Sequence, residues 1–248
     1  MALSDYRSAL VTGASSGIGE AAVRRLRRHG LEVHAVARRV DKLEKLALET
    51  GCAPHVLDLT DTDALYRELS GLAVDVVVNN AGLGRGFGPL HRAEREDIDV
   101  TFQTNVVAFA HVLRAVLPGM VERRCGHVFN IGSVAGLYAI NSPVYGGSKG
   151  AVHLMSMNLR MDLQGSGVRV TEICPGRVDT PFFEVALEDA QARARFMDTG
   201  TEHMIPDDVV DAIQYALDAP WRVNVGRIEI TPTEQVLGGA SLTPVQRD

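Results

Sequence analysis

The 248-residue chain carries 25 Lys and Arg against 31 Asp and Glu, for a formal net charge of −6, with 46% hydrophobic and 23% charged residues. These proportions belong to a soluble globular protein with enough apolar residues for a large core, in one domain or at most two. An acid excess argues against a general nucleic-acid binder, which needs a basic stripe, so the expected partners are small molecules or further copies of the chain.

Three cysteines, Cys52, Cys125 and Cys174, match neither a metal clip nor a disulfide framework, and they predict a reducing, cytoplasmic setting. The opening MALSDYRSALVTG lacks the basic-then-apolar build of a secretory signal. The most apolar long stretch, Asn105 to Val121, is broken by His111, Arg114 and Pro118, so no membrane span is expected.

Short apolar runs alternate with helix-period segments from end to end. In chain order the pattern predicts strand Ser8–Val11, helix Gly17–His29, strand Glu32–Ala37, helix Asp41–Thr50, strand Ala53–Asp58, helix Asp61–Gly71 and strand Val74–Asn79. It continues with a long helix Arg95–Arg124, strand His127–Ser133, helix Pro143–Gln164, strand Val168–Cys174, helix Pro206–Ala219 and strand Arg227–Ile230. Strands such as VDVVVN are apolar on both faces, as a covered sheet requires. The expectation is a single α/β, doubly wound Rossmann-type domain over residues 1–248, a seven-stranded parallel sheet with helices on both faces and a short substrate lid at about 177–204. Ligands in such sheets bind beyond the carboxyl ends of the strands.

The first strand leads into Thr12-Gly13-Ala14-Ser15-Ser16-Gly17-Ile18-Gly19. Glycines there allow a tight turn and let a pyrophosphate approach the helix N-terminus, although a ligand-free strand-to-helix turn accounts for the cluster equally well. In NAD enzymes of this architecture an acid stands roughly 20 residues on, at the end of the second strand, to take the ribose 2′-hydroxyl. Here that place is Ala37, followed by Arg38 and Arg39, so a 2′-phosphate would be attracted; two arginines solvating a loop is the plainer alternative. Further on, Ser142-Pro143 predicts a helix start, and Tyr145 and Lys149, four residues apart, share one helix face. A nearby ammonium favours the phenolate, which makes Tyr145 a usable acid or base. Ser133, twelve residues upstream of Tyr145, could donate to a developing oxyanion.

In this order the motifs resemble those of a classical short-chain dehydrogenase/reductase: Thr12 to Gly19, Asp58, Asn79-Asn80-Ala81-Gly82, Asn105, Ser133, Tyr145, Lys149, and Pro175-Gly176 with Thr180. The resemblance spans essentially the whole chain and implies an oxidoreductase that moves hydride between NADP(H) and a carbonyl or alcohol. It implies catalytic roles for Asn105, Ser133, Tyr145 and Lys149, with Asn105 distorting its helix and holding a water in a proton relay. It implies cofactor contacts from Gly13, Ser15, Ser16, Gly17, Ile18, Gly19, Arg38, Arg39, Asp58, Leu59, Asn80, Ala81, Gly82, Pro175, Gly176, Val178 and Thr180. Within the family, ARRVDKL and the closing RIEITPTEQ are similar to the NADP-dependent 3-hydroxy acid (serine) dehydrogenase subgroup. A small 3-hydroxy acid or related aldehyde is the implied substrate; a bulkier alicyclic ketone or steroid is the alternative. A homodimer or homotetramer is implied, paired through Arg95–Arg124 and Pro143–Gln164.

Specificity is expected from Gly84 to Leu90, from Val134 to Val144 and from the lid. Arg85 and Arg177 could meet an anion, or merely solvate the surface, while Leu137, Tyr138, Phe182 and Phe183 offer apolar contacts. The eight histidines show no metal-ligand spacing, so no metal is expected; His29, His34, His91 and His127 read as surface or polar packing. Met155 and Met157 read as the buried face of a long helix, Arg24 to Arg28 as a solvated face, and Cys174 as a buried thiol. A non-catalytic NADP-binding redox sensor stays open, since a fold alone never decides function.

Overall fold

A computed structural model describes residues 3–236 apart from 187–190, 192, 195–197 and 199. The parts of the expected 177–204 lid that fall in those gaps lie outside the described residues.

Strands β1 (Ser8–Thr12), β2 (Glu32–Ala37), β3 (Ala53–Val56), β4 (Val76–Asn79), β5 (Gly126–Ile131), β6 (Val168–Pro175) and β7 (Arg227–Ile230) form one seven-stranded sheet. Its order is β3-β2-β1-β4-β5-β6-β7 and every pairing is parallel, as the alternating pattern predicts. Helices α1 (Gly17–Arg28), α2 (Val40–Thr50) and α8 (Pro206–Asp218) cover one face. There Leu26, Leu43, Leu46, Ile213 and Leu217 pack on Val11, Ala35, Val78 and Phe129. The other face is covered by α3 (Thr62–Leu69), α5 (Phe109–Arg123) and α6 (Pro143–Asp162), where Leu65, Val112, Val116 and Val152 meet Leu10, Val36, Val77, Val128 and Val170. Each such side chain contributes roughly 1.5–3 kcal/mol by leaving water.

Element ends differ from the sequence expectation where side chains compete for the backbone. β3 stops at Val56 rather than Asp58, because the Asp58 carboxylate turns the chain by accepting from the Thr60 amide at 3.0 Å and its hydroxyl at 2.8 Å. β5 stops at Ile131, and Ser133 instead starts a short turn by accepting from the Ala135 amide. The expected continuous helix Arg95–Arg124 is α4 (Arg95–Phe102) and α5 joined by a π-helical segment, Gln103–Ala108. By length and composition Arg95–Arg123 could cross a membrane, yet it lies on the sheet with Val112, Leu113, Val116 and Met120 buried.

Two readings of helix faces need correction. Arg25 is tied to Asp207, Asp211 and Gln214 of α8, and Arg27 to the Thr50 and Leu31 carbonyls, so the basic run of α1 bridges elements rather than facing water throughout. Met157 is 44% exposed and Leu154 57% exposed, because that side of α6 has no sheet beneath it.

After β1 the sheet order reverses, with β2 on one side and β4 on the other, so a crevice opens between the carboxyl ends of β1 and β4. Thr12 locks that opening. Its buried hydroxyl accepts from the Asn80 and Ala81 amides, both at 3.0 Å, while its carbonyl accepts from the Asn80 side chain at 2.9 Å. Thr12→Val keeps the shape but strands two amides, so it should lower the unfolding free energy by about 2–4 kcal/mol in urea titrations, whereas Thr12→Ser should retain most of it.

Candidate active site

A cleft of about 450 Å³ opens at the switch point, lined along one arm by Gly13, Ser15, Ser16, Gly17, Arg38 and Arg39. The other arm reaches Ser133, Tyr145 and Lys149. Gly13 and Gly17 have φ of 66° and 55°, a region that favours glycine. A Cβ at Gly13 would lie 2.8 Å from the side-chain Nδ2 of Asn80, and one at Gly19 would strike the Gly13 carbonyl oxygen. The glycine spacing therefore follows from how closely β1, α1 and the end of β4 approach one another.

The two arginines differ in role. Arg39 donates to the Ser15 hydroxyl at 2.9 and 3.0 Å and to Ser16 at 2.6 Å, so its guanidinium is fixed against the turn. Arg38 is 68% exposed and stands 3.8 Å from Asp58 at the cleft wall. Partial burial pushes the Asp58 carboxyl up, but the Thr60 hydrogen bonds and the Arg38 cation outweigh it and leave it below the usual range. Leu59, Ala81, Gly82, Pro175, Gly176, Val178 and Thr180 line the same cleft, and Thr180 packs against Gly17.

Asn105 sits in the π-helical segment, where its side chain pairs with both the amide and the carbonyl of Leu83 at 2.8 Å. It also donates to the Ser148 hydroxyl at 3.0 Å. A residue inserted into a helix is a common device at functional sites, and here it turns an amide toward the loop after β4. The room that a Cβ at Gly82 would fill is flanked by Asn105 Oδ1 at 3.2 Å and Lys149 Nζ at 3.6 Å.

Tyr145 stands in the first turn of α6, with Pro143 at its start as expected. Ser142 occupies the cap position, and its buried hydroxyl makes no cap hydrogen bond. Ser133 hydrogen-bonds Tyr145, and Lys149 Nζ donates to the Ile131 carbonyl at 2.9 Å. Burial pushes the Tyr145 hydroxyl up to about 12, against the downward pull of the Ser133 hydrogen bond. Burial likewise pulls the Lys149 ammonium down to about 8. The expectation that a neighbouring ammonium holds Tyr145 toward phenolate is thus overturned for these surroundings, where desolvation is the larger effect.

Phe182 and Phe183 lie in α7 (Phe182–Ala186) over the cleft, with the Phe182 ring 5.3 Å from that of Tyr145. Arg177 lines the cleft too, 9% exposed and 5.8 Å over the Phe183 ring. Three sequence candidates are not brought to it. Arg85 faces Glu96 and Asp97 at the start of α4, at 3.8 and 3.6 Å, so its charge is drawn away from the cleft. Tyr138 donates to Glu229 of β7 at 3.2 Å, and Leu137 lies beside it outside the lining. Conversely Phe87, 5.7 Å from the Tyr145 ring, and Gln235, which accepts from the Arg177 amide at 2.9 Å, line the cleft without having been singled out. Phe87 falls inside the Gly84 to Leu90 specificity stretch, whereas nothing local in the sequence marks Gln235.

A lysine whose pKa is lower in the folded state binds its proton more weakly there. Lys149 therefore reduces stability at all pH values below about 8, and the penalty is relieved as pH rises toward the unfolded value. Lys149→Met should raise the unfolding free energy at pH 7 by on the order of 2–3 kcal/mol and flatten its rise at alkaline pH, as read from urea titrations across pH.

Comparison with known proteins matches the short chain dehydrogenase family over residues 7–191. An uncharacterized short-chain type dehydrogenase/reductase of Sinorhizobium fredii is 42% identical over 243 residues, covering 98% of each chain. The NADP-dependent 3-hydroxy acid dehydrogenase of Escherichia coli strain K12 is 38% identical over 242 residues, covering 94% of this chain and 98% of that one. A solved structure of serine dehydrogenase in its closed form, complexed with NADP+, superposes with a TM-score of 0.89 at 38% identity, covering 97% of this chain and all of that one. With a family match over most of its length and relatives of this identity along nearly all of it, the chain belongs to the short-chain dehydrogenase/reductase family.

Proposed function

We propose that the protein is an NADP(H)-dependent oxidoreductase acting on a small 3-hydroxy acid or the related aldehyde or 3-oxo acid, with all of its machinery in one domain. The observation that carries this reading is the convergence of Ser133, Tyr145 and Lys149 with Arg38 and Arg39 on a single cleft. The names of the two relatives, a 3-hydroxy acid dehydrogenase and a serine dehydrogenase complexed with NADP+, support it.

The cleft fits a phosphorylated dinucleotide. Close packing at Gly13 and Gly19 forms a side-chain-free cradle at the N-terminus of α1, where free amides favour a pyrophosphate. Arg38 and Arg39 supply cations for a 2′-phosphate, with Arg39 braced by Ser15 and Ser16. Lys149 would hold the nicotinamide ribose. The bound nicotinamide supplies or accepts the hydride. In the reducing direction Tyr145, kept protonated by burial, gives its hydroxyl proton to the carbonyl oxygen as charge develops there, and Ser133 donates a hydrogen bond to the same oxygen. Protons then reach Tyr145 by way of Lys149 and the space above Gly82 that faces Asn105.

Arg177 offers a partly desolvated cation for a substrate carboxylate. Phe87, Phe182 and Phe183 around Tyr145 support a second reading, a bulkier alicyclic ketone. An NADPH-oxidation screen over aldehydes, 3-oxo acids and cyclic ketones decides between them. Activity on 3-oxo acids that falls at least tenfold in Arg177→Gln supports the acid; a preference for cyclic ketones insensitive to Arg177 overturns it. Tyr145→Phe should lose nearly all turnover while still binding NADPH, and Arg38→Asp should reverse or abolish a preference for NADPH over NADH.

The uncovered side of α6, with Leu154, Met157 and Met161 exposed, together with the exposed Val107 of the π-helical segment and Val121 of α5, suits a two-fold contact with a second copy. Sedimentation should give a dimer or tetramer at micromolar concentration, and Met157→Glu should shift it toward smaller species.

A further inference from the structure

Glu172 is fully buried in β6, a position where an isolated carboxylate is costly. It has one strong anchor: His153 Nδ1 at 2.7 Å from its Oε2. The other oxygen, Oε1, accepts from no nitrogen or hydroxyl donor, its near neighbour being the Cys174 thiol. That oxygen lies directly under the end of β5, where a Cβ at Gly132 would be 2.6 Å away, so residue 132 leaves the room that the carboxylate fills. On one side of Gly132 is Ile131, whose carbonyl accepts from Lys149 Nζ; on the other is Ser133. Lys149 and His153 are one turn apart on the same face of α6. A half-buried anchor, a buried carboxylate and a buried ammonium thus line up between α6 and the end of β5.

We propose that Glu172 is a positioning residue that keeps Lys149 in its charged form, acting through space from the face of β6 that α6 covers, while His153 holds the carboxylate in place. The assignment rests on the reading of Lys149 given above. Burial pulls the Lys149 ammonium down, and the nearby charges of Cys174 and Glu172 push the other way. Cys174 cannot serve as a standing charge, because burial and the Glu172 carboxylate hold its thiol well above the ordinary range. The remaining titratable or charged groups around Glu172 and Lys149 are Tyr145 and Arg160 on α6, and Arg227 and Glu229 on β7, Arg227 being in register with Glu172. The adjacent β5 position, Asn130, is uncharged. Arg160 donates to the Gly226 carbonyl and Glu229 accepts from Tyr138; of the two carboxylates it is Glu172 that places an oxygen beneath the Gly132–Ser133 turn and whose charge acts on Lys149.

The chain has three lysines, Lys42, Lys45 and Lys149, and the first two are exposed. NMR of protein labelled with 13C at lysine Cε therefore follows Lys149 directly, with the other two as internal references. In the wild type Lys149 should titrate near 8. In Glu172→Gln its midpoint should fall by about one pH unit or more, a tenfold weaker hold on the proton, and in Glu172→Asp it should stay within about 0.3 unit. A Glu172→Gln midpoint within about 0.3 unit of the wild type overturns the proposal. Should Glu172→Gln not fold, Glu172→Met decides, since it keeps the side-chain bulk without the charge: the Lys149 midpoint should again fall by about one pH unit or more, and an unmoved midpoint overturns the assignment. A wild type that titrates as expected but reduces no carbonyl would contradict the proposed function and leave the Glu172 assignment standing.

Discussion

An ammonium group held out of water is the constraint on which the cleft depends. Lys149 is 6% exposed, and its Nζ is satisfied by a main-chain carbonyl at the end of β5 rather than by solvent. Taking a cation out of water costs several kcal/mol unless dipoles and opposite charge replace the lost hydration. The Ile131 carbonyl, the amide oxygen of Asn105 across Gly82 and the carboxylate of Glu172 lie around it for that purpose. Stability is given up at Lys149 so that a charged group can stand in the cleft that Tyr145 and Ser133 also line.

The parallel sheet makes such a site possible because all its strands end on one side. β1 and β4 part at the switch point, β5 brings Ser133, and α6 returns across the same edge carrying Tyr145 and Lys149. Each approach leaves so little room that small residues become obligatory. Gly13 and Gly19 admit the close passage of the turn beneath Asn80, and Gly132 admits Glu172. The π-helical segment works in the same way, since the irregular turn lets Asn105 reach both backbone groups of Leu83 while the flanking helices keep their packing on the sheet. Regular elements supply rigidity, and the departures from regularity aim side chains.

Charge follows a similar division. Overall the chain is acidic, yet cations collect along the cleft, at the exposed Arg38 and Arg39 on one arm and at the buried Arg177 on the other. Arginines elsewhere serve the fold: Arg25 ties α1 to α8, and Arg169, 5% exposed, donates to carbonyls at the end of α8 and to the Tyr6 hydroxyl. The sequence alone does not separate these uses, because a cation that bridges helices and one that faces a ligand look the same in a list of residues.

How much could be read in advance follows from the range of the forces involved. Period-two and period-3.6 patterning is local, so the strand and helix order, the parallel class and the glycine turn were legible, as was the sharing of one helix face by Tyr145 and Lys149. Local chemistry also marked Ala37-Arg38-Arg39 by the missing acid. What only the tertiary structure decided were quantities that depend on distant neighbours. Arg85 and Tyr138 turned to Glu96, Asp97 and Glu229 because acids brought in by other elements attract them, and Gln235 reached the Arg177 amide from 58 residues away. Desolvation overrode the expected effect of Lys149 on Tyr145, since burial is set by the whole fold and not by i,i+4 spacing. Met157 lost its expected core because a helix face is buried only where another surface meets it.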